Sequence, residues 1–232
     1  MTENDMTKSL LVRIVRSIKR RIRHQKLLRV VREKSESAIN SAQKTDHILV
    51  LCYGNIYRSP LVEYLLKKSL SNTDIEIRSA GFHDRTGRSC ADEYLKLLAE
   101  RGYDLAAHRS SRISQDDVNW ADLIVIMDRK NWDLLISMDQ QALAKTIWIG
   151  AFSPNLSVEV IDPYNQGNEK TRQVISQLEQ SVVDIAAKVI EKNQKKAAKW
   201  TMVAQSECQT QHIHPDCRSP HSCTTGDRSS SI

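Results

Sequence analysis

Between residues 47 and 194, short apolar runs alternate along the chain with amphipathic stretches. The run His47–Tyr53 is apolar almost throughout, as expected of a strand that is buried on both faces. Further strands are predicted at Ile75–Arg78, Asp122–Met127 and Thr146–Ile149. Helical periodicity follows each strand, at Ser59–Leu70, Ala91–Arg101, Arg129–Met138 and Glu169–Lys192. This alternation predicts an α/β fold with a four-stranded parallel sheet and helices on both faces.

The segments on either side of residues 47–194 have a different character. Residues 1–46 contain 12 of the 34 Lys and Arg residues but only 5 of the 28 Asp and Glu residues, so they hold all of the net charge of +6. Residues 195–232 are polar and have almost no apolar periodicity, which predicts a disordered tail. We therefore expect a basic arm at 1–46, one domain at 47–194 and a tail at 195–232.

The basic arm contains a helical pattern over residues 10–23. One face carries the apolar residues and the other most of the basic ones, and the pattern is lost after about His24. Such a segment can lie on an anionic membrane surface. A helix that docks on a partner and a disordered arm both stay open. Nucleic-acid binding is not predicted, because no aromatic residues stand between the charges.

Composition also limits the compartment and the cofactors. No apolar run reaches the roughly 18 residues that span a bilayer, and basic residues interrupt any secretory signal, so a cytoplasmic protein is expected. Five cysteines, an odd number, favour free thiols over a disulfide framework. The Cys and His residues of the tail lack a Cys-x2-Cys pair, so neither a metal nor another cofactor is predicted; they are Cys208, His212, His214, Cys217 and Cys223.

The loop after the first predicted strand carries the candidate chemistry. Cys52 lies at the carboxyl end of that strand, where parallel sheets bind their ligands. Gly54 and Asn55 allow a tight turn that aims backbone N–H groups at one point, and Asn55 tolerates a left-handed conformation. Arg58 can hold two phosphate oxygens, and Ser59 is both a plausible helix cap and a hydrogen-bond donor for the sulfur. These N–H groups and the Arg58 charge create a positive potential that should stabilise a thiolate. The loop therefore predicts phosphoryl transfer with Cys52 as nucleophile.

This stretch, Cys52-Tyr53-Gly54-Asn55-Ile56-Tyr57-Arg58-Ser59-Pro60, resembles the loop of the low-molecular-weight protein tyrosine phosphatases, Cys-x-Gly-Asn-x-Cys-Arg-Ser-Pro. The resemblance covers about residues 47–192. It also includes Ser79-Ala80-Gly81, Gly102-Tyr103-Asp104-Leu105 with His108, Met127-Asp128 and Asp162-Pro163-Tyr164. It implies a flavodoxin-like fold and a cysteine-dependent enzyme that hydrolyses phosphotyrosine through a phosphocysteine intermediate.

The resemblance also implies roles for single residues. Asp162 would be the general acid, and Tyr164 would form an aromatic wall for the substrate ring, although Asn165 stands where many members have a second aromatic residue. Ile56 and Tyr57 would contact the substrate. Ile56 favours phosphotyrosine, because relatives that act on arginine phosphate tend to have Thr there. The implied partner is a phosphotyrosine-containing protein, with a bacterial tyrosine kinase as one candidate.

One departure and two alternatives follow from the same loop. Tyr57 replaces the second Cys of the family pattern, so we expect peroxide to oxidise Cys52 irreversibly. Arsenate reduction on this loop needs resolving cysteines, and Cys90 is the one other cysteine between residues 47 and 194. A non-catalytic phosphate-binding scaffold is the second alternative; the presence of Cys52, Arg58 and Asp162 argues against it.

Overall fold

Four parallel strands form one sheet in the order β2-β1-β3-β4. They are β1 (His47–Cys52), β2 (Glu76–Gly81), β3 (Leu123–Ile126) and β4 (Thr146–Trp148). β1 is central, because it pairs in parallel with both β2 and β3, and β3 pairs with β4. The structure, a computed structural model, describes residues 22, 25–43 and 45–210, with side chains as far as residue 195. The predicted four-stranded parallel sheet is confirmed.

Six helices and one short 3-10 helix occur in the described part of the chain. The 3-10 helix spans Gln141–Lys145 and precedes β4. The α-helices are α1 (25–41), α2 (Arg58–Ser69), α3 (Asp92–Ala99), α4 (Gln115–Trp120), α5 (Arg129–Met138) and α6 (Gly167–Thr210).

Helices cover both faces of the sheet, as predicted. Ile48 and Val50 of β1 belong to one buried cluster, together with residues of α2, α3 and α6. Leu49 and Leu51 belong to a second cluster, on the other face, with residues of α4 and α5. Successive side chains of a strand point to opposite faces, so a continuous apolar run such as β1 must be covered on both faces of the sheet.

Helix α1 packs on the sheet and is part of the same unit, whereas the sequence pattern suggested an arm separate from the domain. Its inward positions recur every three or four residues; Ala38 and Ile39 are buried at 4% and 2% exposure, and Ser35 at 1%. Ser35 Oγ accepts a hydrogen bond from the backbone N–H of Trp148 at 3.3 Å. The structure is helical from residue 25 to residue 41, although the apolar pattern of residues 10–23 does not continue in phase beyond about His24. Small and polar residues supply part of this buried face, which hides it from a hydrophobicity pattern.

The chain divides into two compact units, Met1–Asn193 and Gln194–Ile232. Helix α6 begins two residues before its predicted start and continues to Thr210, beyond the predicted end at Lys192. Residues 211–232, the rest of the predicted tail, lie outside the described residues, as do residues 10–21 and 23 of the predicted membrane-binding segment 10–23. Among the described helices, none combines the length and the apolar character that crossing a bilayer requires.

Candidate active site

The turn from β1 into α2 is held together by Asn55, which is fully buried. Its backbone is left-handed, with φ of 50°, a conformation that asparagine tolerates better than most residues. Its side-chain Nδ2 donates to the hydroxyls of Ser59 at 3.0 Å and Ser79 at 2.9 Å, and its Oδ1 accepts from the backbone N–H of Ser111 at 2.8 Å. The amide therefore ties the loop to α2, to β2 and to the segment after residue 110.

Gly81 permits the close approach of this loop to β2. A Cβ atom at Gly81 would lie 2.9 Å from the Asn55 backbone N and 2.9 Å from the Tyr53 carbonyl oxygen, closer than real Cβ contacts. Both contacts are to the backbone of the loop that holds Cys52, so the loop could not yield without moving the groups around the sulfur. The Gly81 position is thus part of the construction of the site.

The sulfur of Cys52 receives two hydrogen bonds inside the loop. The backbone N–H of Asn55 donates to Sγ at 3.2 Å, and the hydroxyl of Ser59 donates at 3.0 Å. The prediction that Ser59 also caps the helix is wrong. Helix α2 begins at Arg58, its N-terminal cap position is Tyr57, and no side chain caps it. The Ser59 hydroxyl is directed at the sulfur instead, where its proton can stabilise negative charge.

Arg58 is buried, with 1% exposure, and acidic groups hold its guanidinium in one orientation. Nη1 donates to Asp128 Oδ2 at 2.5 Å and to the Val160 carbonyl at 2.8 Å, and Nη2 donates to Asp162 Oδ2 at 2.9 Å. Burial alone would lower the pKa of Arg58, but the Cys52 sulfur, Asp162 and Asp128 together raise it above its ordinary value. Its Nε–H is buried and has no hydrogen-bond partner among the described residues, so this donor is available to an anion.

Asp162 stands at the mouth of the loop, and 42% of its side chain is exposed. One carboxylate oxygen accepts from Arg58 and the other from the backbone N–H of Tyr164 at 3.2 Å. A carboxyl group that is fixed on one side and open to solvent on the other can exchange protons with water and with a bound ligand.

Aromatic rings form one wall of the pocket. The ring of Tyr57 lies between those of Tyr94, at 4.8 Å between centroids, and Tyr164, at 6.5 Å. Burial raises the pKa of Tyr57, and the Asp162 carboxylate adds to this; burial also raises the pKa of Tyr94. Both phenols are therefore neutral at physiological pH, and the wall suits an uncharged aromatic ring.

A second wall of the pocket was not predicted from the sequence. It comes from the loop after β2, where Arg88 Nη2 donates to the Gly54 carbonyl at 2.6 Å and Arg85 is exposed. Tyr53 and His83 also contribute, with ring centroids 5.6 Å apart, and Lys130 Nζ lies 3.2 Å from the Tyr53 ring centroid. Strand β2 neighbours β1, so the rule that ligands bind at the carboxyl ends of adjacent strands could have pointed to this loop.

The two walls and the Cys52 loop enclose a cavity of about 320 Å³. Of the predicted site residues, only Asn55 and Ser59 do not line it, because they lie behind the sulfur and support it. The lining residues are Cys52, Tyr53, Gly54, Ile56, Tyr57, Arg58, His83, Arg85, Arg88, Asp162 and Tyr164.

Sequence comparison places this site within a known family of enzymes. A family model described as low molecular weight phosphotyrosine protein phosphatase matches residues 47–196. The probable low molecular weight protein-tyrosine-phosphatase AmsI of Erwinia amylovora is 35% identical over 133 residues, which are 57% of this chain and 89% of AmsI. The protein-arginine-phosphatase of Geobacillus stearothermophilus is 29% identical over 143 residues, which are 61% of this chain and 95% of that protein.

Solved structures agree with the sequence comparison. The Erwinia amylovora tyrosine phosphatase AmsI superposes with a TM-score of 0.58 at 30% identity, covering 65% of this chain and 95% of that one. The tyrosine phosphatase Wzb from Escherichia coli K30, in complex with sulphate, also has a TM-score of 0.58, at 29% identity, and covers 62% and 98%. The family match includes the sheet, the Cys52 loop and Asp162, and leaves α1 outside.

Proposed function

This chain belongs to the low molecular weight protein tyrosine phosphatase family and is a phosphoric monoester hydrolase, and we propose that it cleaves phosphotyrosine through a phosphocysteine formed on Cys52. The observation that carries this assignment is the pair of donors on the Cys52 sulfur, from Asn55 N–H and Ser59 Oγ–H. Two donors on one sulfur favour its anionic form, which is the nucleophile.

In the first step, the Cys52 thiolate attacks phosphorus while the bond to the phenolic oxygen breaks. Asp162, protonated at this point, gives its proton to the leaving oxygen, so that tyrosine departs as a neutral phenol. Arg58 stabilises the charge on the equatorial phosphate oxygens, and the unpartnered Nε–H of this buried side chain supports that role. The Asp128 carboxylate fixes the guanidinium by accepting a hydrogen bond from Nη1.

In the second step, water attacks the phosphocysteine and the sulfur leaves as thiolate. Asp162, now a carboxylate, accepts a proton from the attacking water, and inorganic phosphate is released. The Ser59 hydroxyl donates to the departing sulfur, at the distance of 3.0 Å that it has in the structure. After this step Asp162 is again protonated, and the cycle can repeat.

Phosphotyrosine is the substrate that the pocket supports best, although one relative is a protein-arginine-phosphatase. The tyrosine wall, Tyr57 and Tyr164, matches an aromatic ring, and Ile56 lines the cavity with an apolar side chain. The partner would be a phosphotyrosine-containing protein, for which a bacterial tyrosine kinase is one candidate. Contact of residues 10–23 with an anionic membrane, and a place in the cytoplasm, are further proposals that rest on the sequence pattern.

Arsenate reduction finds less support. It needs a second thiol that attacks the first, and Cys90 is the one free cysteine other than Cys52 among the residues with described side chains. Cys90 is buried, and this burial, with the nearby Cys52 sulfur, raises the pKa of Cys90 to about 11. Its thiol is therefore protonated and a poor nucleophile at neutral pH.

The test is a turnover assay with p-nitrophenyl phosphate and with matched phosphotyrosine and phosphoarginine peptides. We expect Cys52→Ser to be inactive and Asp162→Ala to lose about 10²–10⁴-fold in rate, as is typical when a general acid is removed. The wild type should prefer the phosphotyrosine peptide. Normal turnover by Cys52→Ser would contradict the assignment of Cys52 as the nucleophile. A preference for the phosphoarginine peptide would contradict the assignment of phosphotyrosine as the substrate.

A further inference from the structure

Helix α1, outside the family-matched residues, makes direct contact with the segment that leads to Asp162. From this helix, Arg32 reaches across to a stretch of chain 119 to 124 residues away in sequence. Its Nη1 donates to the carbonyls of Ala151 and Ser153, both at 3.0 Å, and its Nη2 donates to the Leu156 carbonyl at 3.1 Å. One guanidinium thus satisfies three backbone acceptors.

The contacted segment, residues 149–162, connects β4 to Asp162, and we name it the acid loop. It contains no helix or strand. The carbonyls of Gly150, Ser153 and Val158 accept N–H groups of the loop itself, and other carbonyls have partners outside it. Gln177 of α6 donates to the carbonyls of Ser157 at 3.2 Å and Glu159 at 3.0 Å, and Arg58 donates to that of Val160. Between residues 151 and 156, Arg32 binds three backbone carbonyls, and the Ser153 hydroxyl also donates to the Asp184 carboxylate of α6.

The acid loop is packed so tightly on itself that its two halves are coupled. The backbone N–H of Gly150 donates to the Val158 carbonyl at 3.2 Å. A Cβ atom at Gly150 would lie only 2.0 Å from the Ser157 carbonyl oxygen, so the two halves of the loop are in direct backbone contact. A change near Ala151 or Leu156 therefore displaces the backbone that continues through Val160 to Asp162.

The position of Arg32 is set by the same helix face that buries Ser35. Arg32 stands three residues before Ser35, which binds the backbone of Trp148 at the end of β4, and residues three apart share one face of a helix. Ala38 and Ile39 anchor the following turn in the core. The guanidinium is therefore carried on a fixed helix, and its planar fork suits several acceptors at once.

We propose that Arg32 is a positioning residue for the general acid: by holding the acid loop, it keeps Asp162 at the mouth of the Cys52 pocket. This inference rests on the proposed role of Asp162. Loss of Arg32 removes a donor from the carbonyls of Ala151, Ser153 and Leu156. The Ser153 carbonyl keeps the Leu156 N–H, and the loop must rearrange for the other two to recover hydrogen bonds from water. A helix outside the residues shared with the family model thereby contributes to the geometry of the acid.

A displaced acid has a particular kinetic signature. Proton donation matters when the leaving phenolate is strongly basic, as from phenyl phosphate, and matters little for a dinitrophenolate, which departs without a proton. The constant kcat/KM reports the step in which the leaving group departs. A general loss of stability would lower kcat/KM for both substrates alike, whereas a displaced acid lowers kcat/KM only for phenyl phosphate.

The experiment compares kcat/KM for phenyl phosphate and 2,4-dinitrophenyl phosphate in the full-length protein, with Arg32→Ala, Arg32→Lys and Asp162→Asn. Arg29→Ala is the matched control, since Arg29 lies on the same helix, its side chain is 81% exposed, and its ion pair among the described residues is with Glu33. We expect Arg32→Ala to lose about tenfold on phenyl phosphate, because small displacements of catalytic groups have effects of this order or larger. Activity on dinitrophenyl phosphate should stay within about twofold of the wild type in the same assay.

Arg32→Lys should lie between the wild type and Arg32→Ala, since a single ammonium cannot replace the fork. Equal losses on both substrates, or no loss on either, would overturn the role of Arg32. If Arg32→Ala does not fold, the same comparison with Arg32→Lys decides the question. If Asp162→Asn itself shows no dependence on the leaving group, the assignment of the acid fails. If Asp162→Asn shows that dependence and the Arg32 variants do not, this inference alone fails.

Discussion

The hydrogen bond from Ser59 to the Cys52 sulfur can be removed with little other change, by Ser59→Ala. Because its partner is the charged thiolate, the bond contributes on the order of 1.5–3 kcal/mol. At about 1.4 kcal/mol for each factor of ten, that corresponds to a loss of roughly 10- to 100-fold in the steps where charge is on sulfur. The departure of the thiolate from the phosphocysteine is such a step, so hydrolysis of the intermediate should become slow.

Ser59→Ala also removes an acceptor from Asn55 Nδ2, which keeps its second acceptor, Ser79 Oγ, at 2.9 Å. Ser79→Ala is therefore the matched control, because it removes an acceptor of the same amide without touching the sulfur. Stopped-flow measurement with p-nitrophenyl phosphate should show a burst of nitrophenol in Ser59→Ala, followed by slow turnover. Loss of turnover no greater in Ser59→Ala than in Ser79→Ala would refute the reasoning.

Three further predictions concern Cys90 and Arg85. After peroxide treatment, we expect thiol reductant to restore little activity, because the buried Cys90 thiol does not ionise at neutral pH to trap oxidised Cys52; full recovery would contradict this. The pKa of Cys90 rises on folding from its ordinary value of 9.0 to about 11, so the unfolded chain loses this proton first as the pH rises. Stability should therefore fall between pH 9 and 11, less steeply in Cys90→Ala than in the wild type, as measured by denaturant unfolding. Arg85 is exposed at the pocket, and its guanidinium has no side-chain partner in the described part of the chain. Arg85→Ala should lower kcat/KM about three- to tenfold for phosphotyrosine peptides with acidic flanking residues and not for neutral ones; an equal effect on both, or the same effect in Arg29→Ala, would refute a role in recognition.

The Cys52 loop could be predicted from the sequence because all its parts are contiguous. A buried strand, a tight turn and a helix start follow one another from residue 47 to residue 60, and each has its own local signal. The left-handed Asn55 is an example, since asparagine is one of the few non-glycine residues that tolerate this conformation. The role of Ser59 was misjudged in part, because a serine at the start of a helix fits a cap and a sulfur donor equally well.

Contacts between distant segments could not be predicted in the same way. Asp128 holds Arg58 from 70 residues away, and Arg88 reaches Gly54 from the neighbouring strand's loop. Helix α1 was missed for a related reason. Its inward face includes Arg32 and Ser35, which are polar, and their partners are backbone groups more than 110 residues later. A hydrophobicity pattern does not register a face that is buried by hydrogen bonds.

The central claim is that phosphate passes through the sulfur of Cys52. The most direct test mixes the enzyme with a phosphotyrosine peptide, quenches within milliseconds in acid, and locates phosphate on the protein by mass spectrometry. We expect phosphate on the peptide that contains Cys52 in the wild type, more of it in Ser59→Ala, and none in Cys52→Ala. Turnover without any phosphoenzyme, or phosphate on the protein in Cys52→Ala, would contradict the mechanism.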